Sequence, residues 1–252
     1  MRRAALALAL TALPILAGQQ LTYADGATKL TGYLARPAAV KGRVPGVVVL
    51  HQWMGLTDHE RRVSDDLAKL GFVAVAADIY GEGVRPANTA EAGKLAGSFK
   101  ADRALYRRRI AAAIETLKAQ KGVDPGRIAV IGFCFGGTGA LEAARAGLPV
   151  KGVVSFHGGL DVTAGYEPGP IAAKVLVCHG ADDPFVPAKD VAAFQDEMRK
   201  AKADYVFVAY AGAVHAFTQK EAGSDNSKGA AYNEAAHRRS WQHMKDFFKE
   251  IF

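Results

Sequence analysis

Cysteine is scarce in this chain: Cys134 and Cys178 are the only two in 252 residues. That excludes a fold stapled by several disulfides and leaves stability to a hydrophobic core. A bridge between the two and a pair of free thiols both fit the sequence; Cys178, ending an apolar run, reads as a small buried residue. No His, Cys, Asp or Glu set has zinc-ligand spacing, so no metal is expected. Beyond the first eighteen residues, no segment stays apolar for the ~20 residues that span a bilayer, so no permanent membrane anchor is expected. Charge of one sign does not accumulate: 32 Lys and Arg against 25 Asp and Glu give a net +7. The charges are interspersed, with Arg107-Arg108-Arg109 the one tight basic cluster. A mild basic excess of this kind is a solvated surface, and without a nucleic-acid motif it excludes nucleic acid as an expected partner. Internal repeats, low-complexity tracts and interdomain linkers are also missing, and nothing in the sequence fixes an oligomeric state.

Half of the residues are apolar and 23% are charged, an ordinary globular composition at a length that suits one large domain. The N-terminus differs. Arg2-Arg3 precede the apolar stretch Ala4 to Leu13, and the small residues Ala17 and Gly18 follow Pro14. This is the pattern of a secretory signal peptide over residues 1–18, its cleavage bond left approximate by Ile15 and Leu16 near the −3 position. The expectation is an exported protein, periplasmic or secreted, with one domain over residues 19–252.

Strand and helix patterns alternate from there on. Gln20 to Tyr23 and Lys29 to Ala35 flank Asp25-Gly26, a hairpin turn signal. Val44 to Leu50 is a continuous apolar run, as expected of a strand buried on both faces. Thr57-Asp58-His59-Glu60 has the capping-box pattern for a helix to about Leu70, and Phe72 to Ala77 is the next strand. Glu82 to Ala90 reads as a loop and about Ser98 to Gln120 as one long helix. Its Leu105, Ile110, Ala113, Ile114 and Leu117 fall on one face. A turn at Val123 to Gly126 leads to the strand Ile128 to Ile131, and a helix is expected over Gly137 to Ala146. Further strands are expected at Val150 to Phe156, Lys174 to Cys178 and Tyr205 to Val208. A helix is expected from about Ala188 to Ala201, and a last one from about Ala230. Trp241, Met244, Phe247, Phe248 and Ile251 form the last helix's apolar stripe. The alternation gives an α/β class: a mostly parallel central sheet flanked by helices on both faces.

Gly132-Phe133-Cys134-Phe135-Gly136-Gly137 lies between the strand and the helix of this middle section. Small residues on both sides of Cys134 allow a sharp strand-to-helix turn, the setting of a nucleophile elbow with Cys where Ser is commoner. The sulfur then sits at a helix N-terminus, which favours its thiolate. A buried structural cysteine is the alternative at this point. Two later strand-end loops carry the acids Asp182 and Asp183 and the histidine His215. Nucleophile, acid and histidine follow one another in the order of α/β-hydrolases.

Six stretches together make the chain resemble the dienelactone hydrolase family of that superfamily, over essentially all of residues 19–252. They are His51 to Leu56, Ala77 to Gly81, Gly132 to Gly137, Phe156 to Gly159, Gly180 to Pro187 and Val214 to Phe217. The resemblance implies an α/β-hydrolase fold and a Cys-dependent hydrolase of small carboxylic esters or lactones, with no cofactor. It maps a catalytic triad onto Cys134, Asp183 and His215. Asp183 is preferred to Asp182 because the family's acid directly precedes the segment matched by Pro184 to Pro187. Cys134 would attack the carbonyl and form an acyl-thioester. His215 would move the protons and Asp183 would orient its ring. Backbone N–H groups of Phe135 and Trp53 would hold the oxyanion. Gln52 stands where the best-known members have a glutamate beside the nucleophile, and Gln219 where they have a substrate-binding arginine. Gln52, Tyr80, His157 and Gln219 are thus candidate pocket residues, although packing would account for Trp53 and Tyr80, and structural hydrogen bonds for His51, His157 and His179. Arg103 and Arg107 read as solvated. A non-catalytic or redox-responsive protein on the same fold is the alternative.

Overall fold

The continuous apolar run becomes strand β3 (Val44–Leu50), held between two parallel neighbours, β4 (Val73–Ala77) and β5 (Val123–Phe133). Alternation splits it between two cores. Val48 and Leu50 point to one side of the sheet and Val47 and Val49 to the other, all four fully buried. This computed structural model describes residues 18–39, 42–162, 166, 167 and 169–252. The signal-peptide expectation lies, apart from Gly18, outside the described residues.

The other strands are β1 (Gln19–Asp25), β2 (Thr28–Ala35), β6 (Gly152–Phe156), β7 (Lys174–Gly180) and β8 (Tyr205–Tyr210). They form one eight-stranded sheet in the order β1-β2-β4-β3-β5-β6-β7-β8. The hairpin β1–β2 adds antiparallel to β4, and every other pairing is parallel. Helices α2 (Thr89–Ala101), α3 (Arg103–Lys118), α4 (Phe135–Arg145) and α5 (Ala188–Lys200) supply Phe99, Ile110, Ala140 and Phe194 to one core. On the opposite face, α1 (Asp58–Lys69) contributes Val63 and Leu67, and α6 (Glu234–Ile251) contributes Met244, Phe247 and Phe248. Thr57 and Glu60 make the reciprocal capping box read from the sequence.

Four expectations need correction. The single helix at 98–120 is two, because Asp102 leaves helical geometry (φ −103°, ψ 77°), ends α2 and caps α3 by accepting from Leu105 N at 2.9 Å. The first of them begins at Thr89, within the stretch read as a loop, where Asn88 accepts from Glu91 N at 2.9 Å. The last helix begins at Glu234 under the cap Asn233, while Ala230 bridges His215 instead. Arg103 and Arg107 are not simply solvated. Arg103 is 7% exposed and pairs with Glu142 at 3.3 Å and Asp161 at 2.8 Å, and Arg107 reaches Glu142 at 2.7 Å. Glu142 and Arg145, buried under α3 and paired at 3.0 Å, demand those partners, since a buried charge without one is costly.

Among the described residues, no helix is long and apolar enough to cross a membrane. None of their His, Cys, Asp and Glu side chains form a group of three or more able to hold a metal ion.

Candidate active site

Strands β3, β5, β6, β7 and β8 run parallel, and the loops that follow them bring five separated segments to the carboxyl end of the sheet. Cys134 leaves β5 with φ 54° and ψ −114°, a conformation that L side chains rarely adopt, and α4 begins at the next residue. Three glycines make room for this turn. A Cβ on Gly132 would lie 1.9 Å from Gly136 O, one on Gly136 2.3 Å from Leu50 O, and one on Gly137 2.7 Å from Gly158 Cα. These contacts are with backbone, so no rotamer change relieves them. Gly132→Ala is therefore expected to cost roughly 3–5 kcal/mol or prevent folding, read as soluble yield and thermal midpoint. A variant melting with the parent protein would contradict that account of the turn.

Phe135, the first residue of α4, is held from three sides. Its ring stacks on Tyr106 at 4.5 Å and meets Tyr80 at 5.5 Å, while its carbonyl accepts from Tyr106 OH at 2.8 Å.

His215 lies in the loop after β8 and Asp183 in the loop after β7. His215 Nδ1 is 2.8 Å from Asp183 Oδ2, and Asp183 Oδ1 accepts from Phe185 N at 2.9 Å. Asp182 instead accepts from Gly212 N at 3.0 Å and serves the loop. On its other side His215 lies close enough to Cys134 for each to shift the other's ionisation.

The charges in this group reinforce one another. Burial alone pushes the Cys134 thiol up, but the His215 charge and hydrogen bond, the Phe135 N–H and the Lys100 charge bring it below the ordinary thiol value. Burial likewise works against a charged His215, yet the Cys134 thiolate and the Asp183 carboxylate raise it to about 10. The charged form of each group favours the charged form of the other, so the two titrate as a unit. Cys178 is unlike Cys134 in every respect. It is fully buried, pushed up to about 12 by that burial, and close to Tyr210 OH at 3.5 Å. The two cysteines are not bridged.

The loop after β3 carries Gln52 and Trp53. Gln52 N faces Glu60 Oε1 at 3.4 Å, and Gln52 O accepts from His51 Nδ1 at 2.6 Å. Trp53 O accepts from Tyr80 OH at 2.8 Å. Tyr80 is 5% exposed, with its ring 4.6 Å from His51. His51 is fully buried and accepts from Ile79 N at 3.2 Å through Nε2, so structural hydrogen bonding does account for it. Gln219 is buried, with its Nε2 lacking a hydrogen-bond partner.

Of the two readings of His157, the structure supports structural hydrogen bonding rather than a place in the pocket lining, because the residue is fully buried. Its Nδ1 faces Cys134 N at 3.2 Å and its Nε2 faces Thr218 Oγ1 at 2.8 Å. Sequence reasoning missed Thr218 altogether, having no signal beyond its place after Val214 to Phe217, and missed Glu60 beneath Gln52, whose role in the capping box hid it.

A sequence model of the dienelactone hydrolase family matches residues 30–252. The chain is 34% identical over 203 residues to a protein of Bradyrhizobium sp. named "Probable 2-oxo-3-(5-oxofuran-2-ylidene)propanoate lactonase", covering 77% of this chain and 80% of that one. Among solved structures it is similar to m3DLH, with 40% identity, a TM-score of 0.89 and coverage of 93% of this chain and 98% of that one. It is also similar to a dienelactone hydrolase-like promiscuous phosphotriesterase from metagenomic libraries, with 42% identity, a TM-score of 0.88 and the same two coverages, 93% and 98%. The sheet order, the helices on both faces and these likenesses define an α/β-hydrolase fold, and the chain belongs to the dienelactone hydrolase family.

Proposed function

We propose that this protein hydrolyses carboxylic esters or lactones, with the Cys134 thiolate as nucleophile and an acyl-thioester as intermediate. The observation that carries the reading is a partly accessible cysteine on a strained turn, near a histidine that Asp183 holds at 2.8 Å and whose pKa the sulfur raises. A buried structural cysteine has no use for any of these features, as Cys178 illustrates.

The steps follow from the charges. The sulfur of Cys134 bonds to the carbonyl carbon, and the carbonyl electron pair moves to oxygen. The N–H groups of Phe135 and Trp53 are assigned to that oxyanion. When the C–O bond breaks, the His215 imidazolium gives its proton to the departing oxygen. Neutral His215 then takes a proton from water, hydroxide adds to the thioester, and the acid leaves as the thiolate returns. Asp183 keeps the Nδ1 proton in place throughout. These steps draw on no cofactor.

Gln52 is uncharged and cannot take the thiol proton, so activation rests on His215 and the start of α4. Gln219 offers no charge to a substrate carboxylate, which favours neutral esters and lactones over small anionic ones. Gln219→Arg is expected to raise kcat/KM for a carboxylated dienelactone relative to a neutral lactone by about tenfold. Steady-state kinetics with both compounds would check it, and an unchanged ratio would remove Gln219 from the specificity argument.

The function itself is tested with four compounds: a short p-nitrophenyl ester, a neutral lactone, a carboxylated dienelactone and a phosphate triester. Turnover is expected on the first two ahead of the third. The fourth asks whether the activity named for the metagenomic relative extends to this chain. Absence of turnover on all four, with Cys134 titrating as a free thiol, would favour a binding or redox role. Export belongs to the same proposal, supported by the pattern of residues 1–18. Secreted or periplasmic material should then have a mass lacking that segment.

A further inference from the structure

The strained backbone at Cys134 has a second strained residue beside it. Phe133 pairs with Phe156 at the end of the β5–β6 register, so Cys134 and His157 leave adjacent strands side by side. His157 has φ 39° and Cys134 φ 54°, both in the region that side chains avoid. Such conformations persist when surrounding contacts over-determine them. Cys134 N–H is shared between Phe156 O at 3.0 Å and His157 Nδ1 at 3.2 Å. Cys134 O accepts from Thr138 N at 3.2 Å, and His157 N donates to Cys178 O at 2.8 Å.

The tautomer of His157 follows from these contacts. An N–H faces Nδ1, so Nδ1 carries no proton and accepts. The proton is then on Nε2 and is donated to Thr218 Oγ1 at 2.8 Å. The ring is packed edge-on against Phe217 at 5.1 Å and against His215 at 5.3 Å. Burial, and next the charge of His215, hold His157 far below the ordinary histidine range. Neutrality matters here. A proton on Nδ1 would set donor against donor at Cys134 N–H, and a charged ring would face the His215 imidazolium.

We propose that His157, locked by Thr218, is a positioning residue that fixes the Cys134 backbone through its Nδ1 lone pair and thereby sets the sulfur against His215. Neither residue touches substrate. The proposal rests on Cys134 being the nucleophile, and it assigns to the Phe156 to Gly159 stretch a task other than lining a pocket.

The test compares His157→Asn, His157→Leu and Thr218→Val with the parent protein. Asparagine keeps an acceptor near the Nδ1 position and tolerates positive φ, whereas leucine keeps bulk and removes the acceptor. Valine keeps the shape of Thr218 but strands the Nε2 proton, letting the Nδ1–H tautomer compete. Expected kcat losses are within about threefold for Asn, about a hundredfold for Leu and about fivefold for Val, with KM unchanged. Alkylation of Cys134 by iodoacetamide across pH should show the thiolate forming at higher pH in the Leu and Val variants and not in the Asn variant. This readout does not need turnover, so it separates failure of the positioning role from failure of the hydrolase reading. Imidazole 15N spectra of the parent protein should show His157 as the Nε2–H tautomer between pH 6 and 8. An Nδ1–H or cationic His157 would overturn the proposal, as would a folded Leu variant with parental kcat and alkylation profile. If the Leu variant does not fold, Thr218→Val decides: parental kcat together with a parental tautomer overturns it.

Discussion

Cys134→Ala is expected to lose ester hydrolysis by at least about 10⁴-fold while remaining folded, because the thiolate is the atom that forms the bond. Alanine fills the same backbone position as cysteine and adds no atom to the crowded turn, so the melting temperature should stay near that of the parent. The substitution also has a consequence at a distance. The negative sulfur is the largest influence raising His215, ahead of the hydrogen bond to Asp183. Without it, burial counts for more and the imidazole should titrate well below its value of about 10 in the intact protein. An imidazole resonance that titrates identically in both proteins would contradict the ion pair. Cys134→Ser should share most of the kinetic loss, because a hydroxyl at ordinary acidity does not ionise beside His215 near neutrality.

Removing the histidine acts on the sulfur in turn. In His215→Ala the two largest influences that lower the Cys134 thiol disappear, and burial, which raises it, remains. The Phe135 N–H and the Lys100 charge, which remain, lower it less. The thiol should therefore be mostly protonated near neutral pH, with alkylation slowed by about a hundredfold and hydrolysis by about 10³–10⁴-fold. Asp183→Asn should fall between this variant and the parent, since it removes the acceptor at 2.8 Å but leaves the ring in place. In the intact protein the pH profile is expected to be a bell. The acid limb reports protonation of the thiolate, at a pH below the ordinary thiol value. The alkaline limb reports loss of the imidazolium near pH 10, where no proton remains for the departing oxygen. An acid limb at the ordinary thiol value would mean that the pair does not form.

Much of this fold was legible from local pattern. Val44–Leu50 is apolar at every position after the first turn of chain, and a strand with parallel neighbours on both sides and helices on both faces requires that. The Thr57 to Glu60 capping box was legible because both of its hydrogen bonds are local. The boundary at Asp102 was not. The apolar spacing continues through it, and only the Asp102 side chain, bonded to Leu105 N, breaks the backbone ladder. Arg103 and Arg107 were misread for a related reason. Their carboxylate partner, Glu142, is a distant part of the chain, so charge alone could not distinguish burial from solvation.

The site divides in the same way. Glycines at 132, 136 and 137 announce the elbow because only backbone crowding demands them, and the order of Cys134, Asp183 and His215 follows the order of the strand ends. His157 was visible as a strand-end histidine, but its direction was not. Which nitrogen faces Cys134, and that Thr218 closes the other side, depends on how two adjacent strands and a later loop meet.

One measurement bears most directly on the nucleophile. The protein is mixed with a p-nitrophenyl ester that deacylates slowly, quenched in acid at the end of the burst, digested, and its peptides weighed. The expected result is one acyl group per chain, on the peptide that contains Cys134 and absent from the one that contains Cys178, with the adduct lost on hydroxylamine treatment as a thioester should be. Turnover with no adduct on Cys134, or with the acyl group on another side chain, would contradict it.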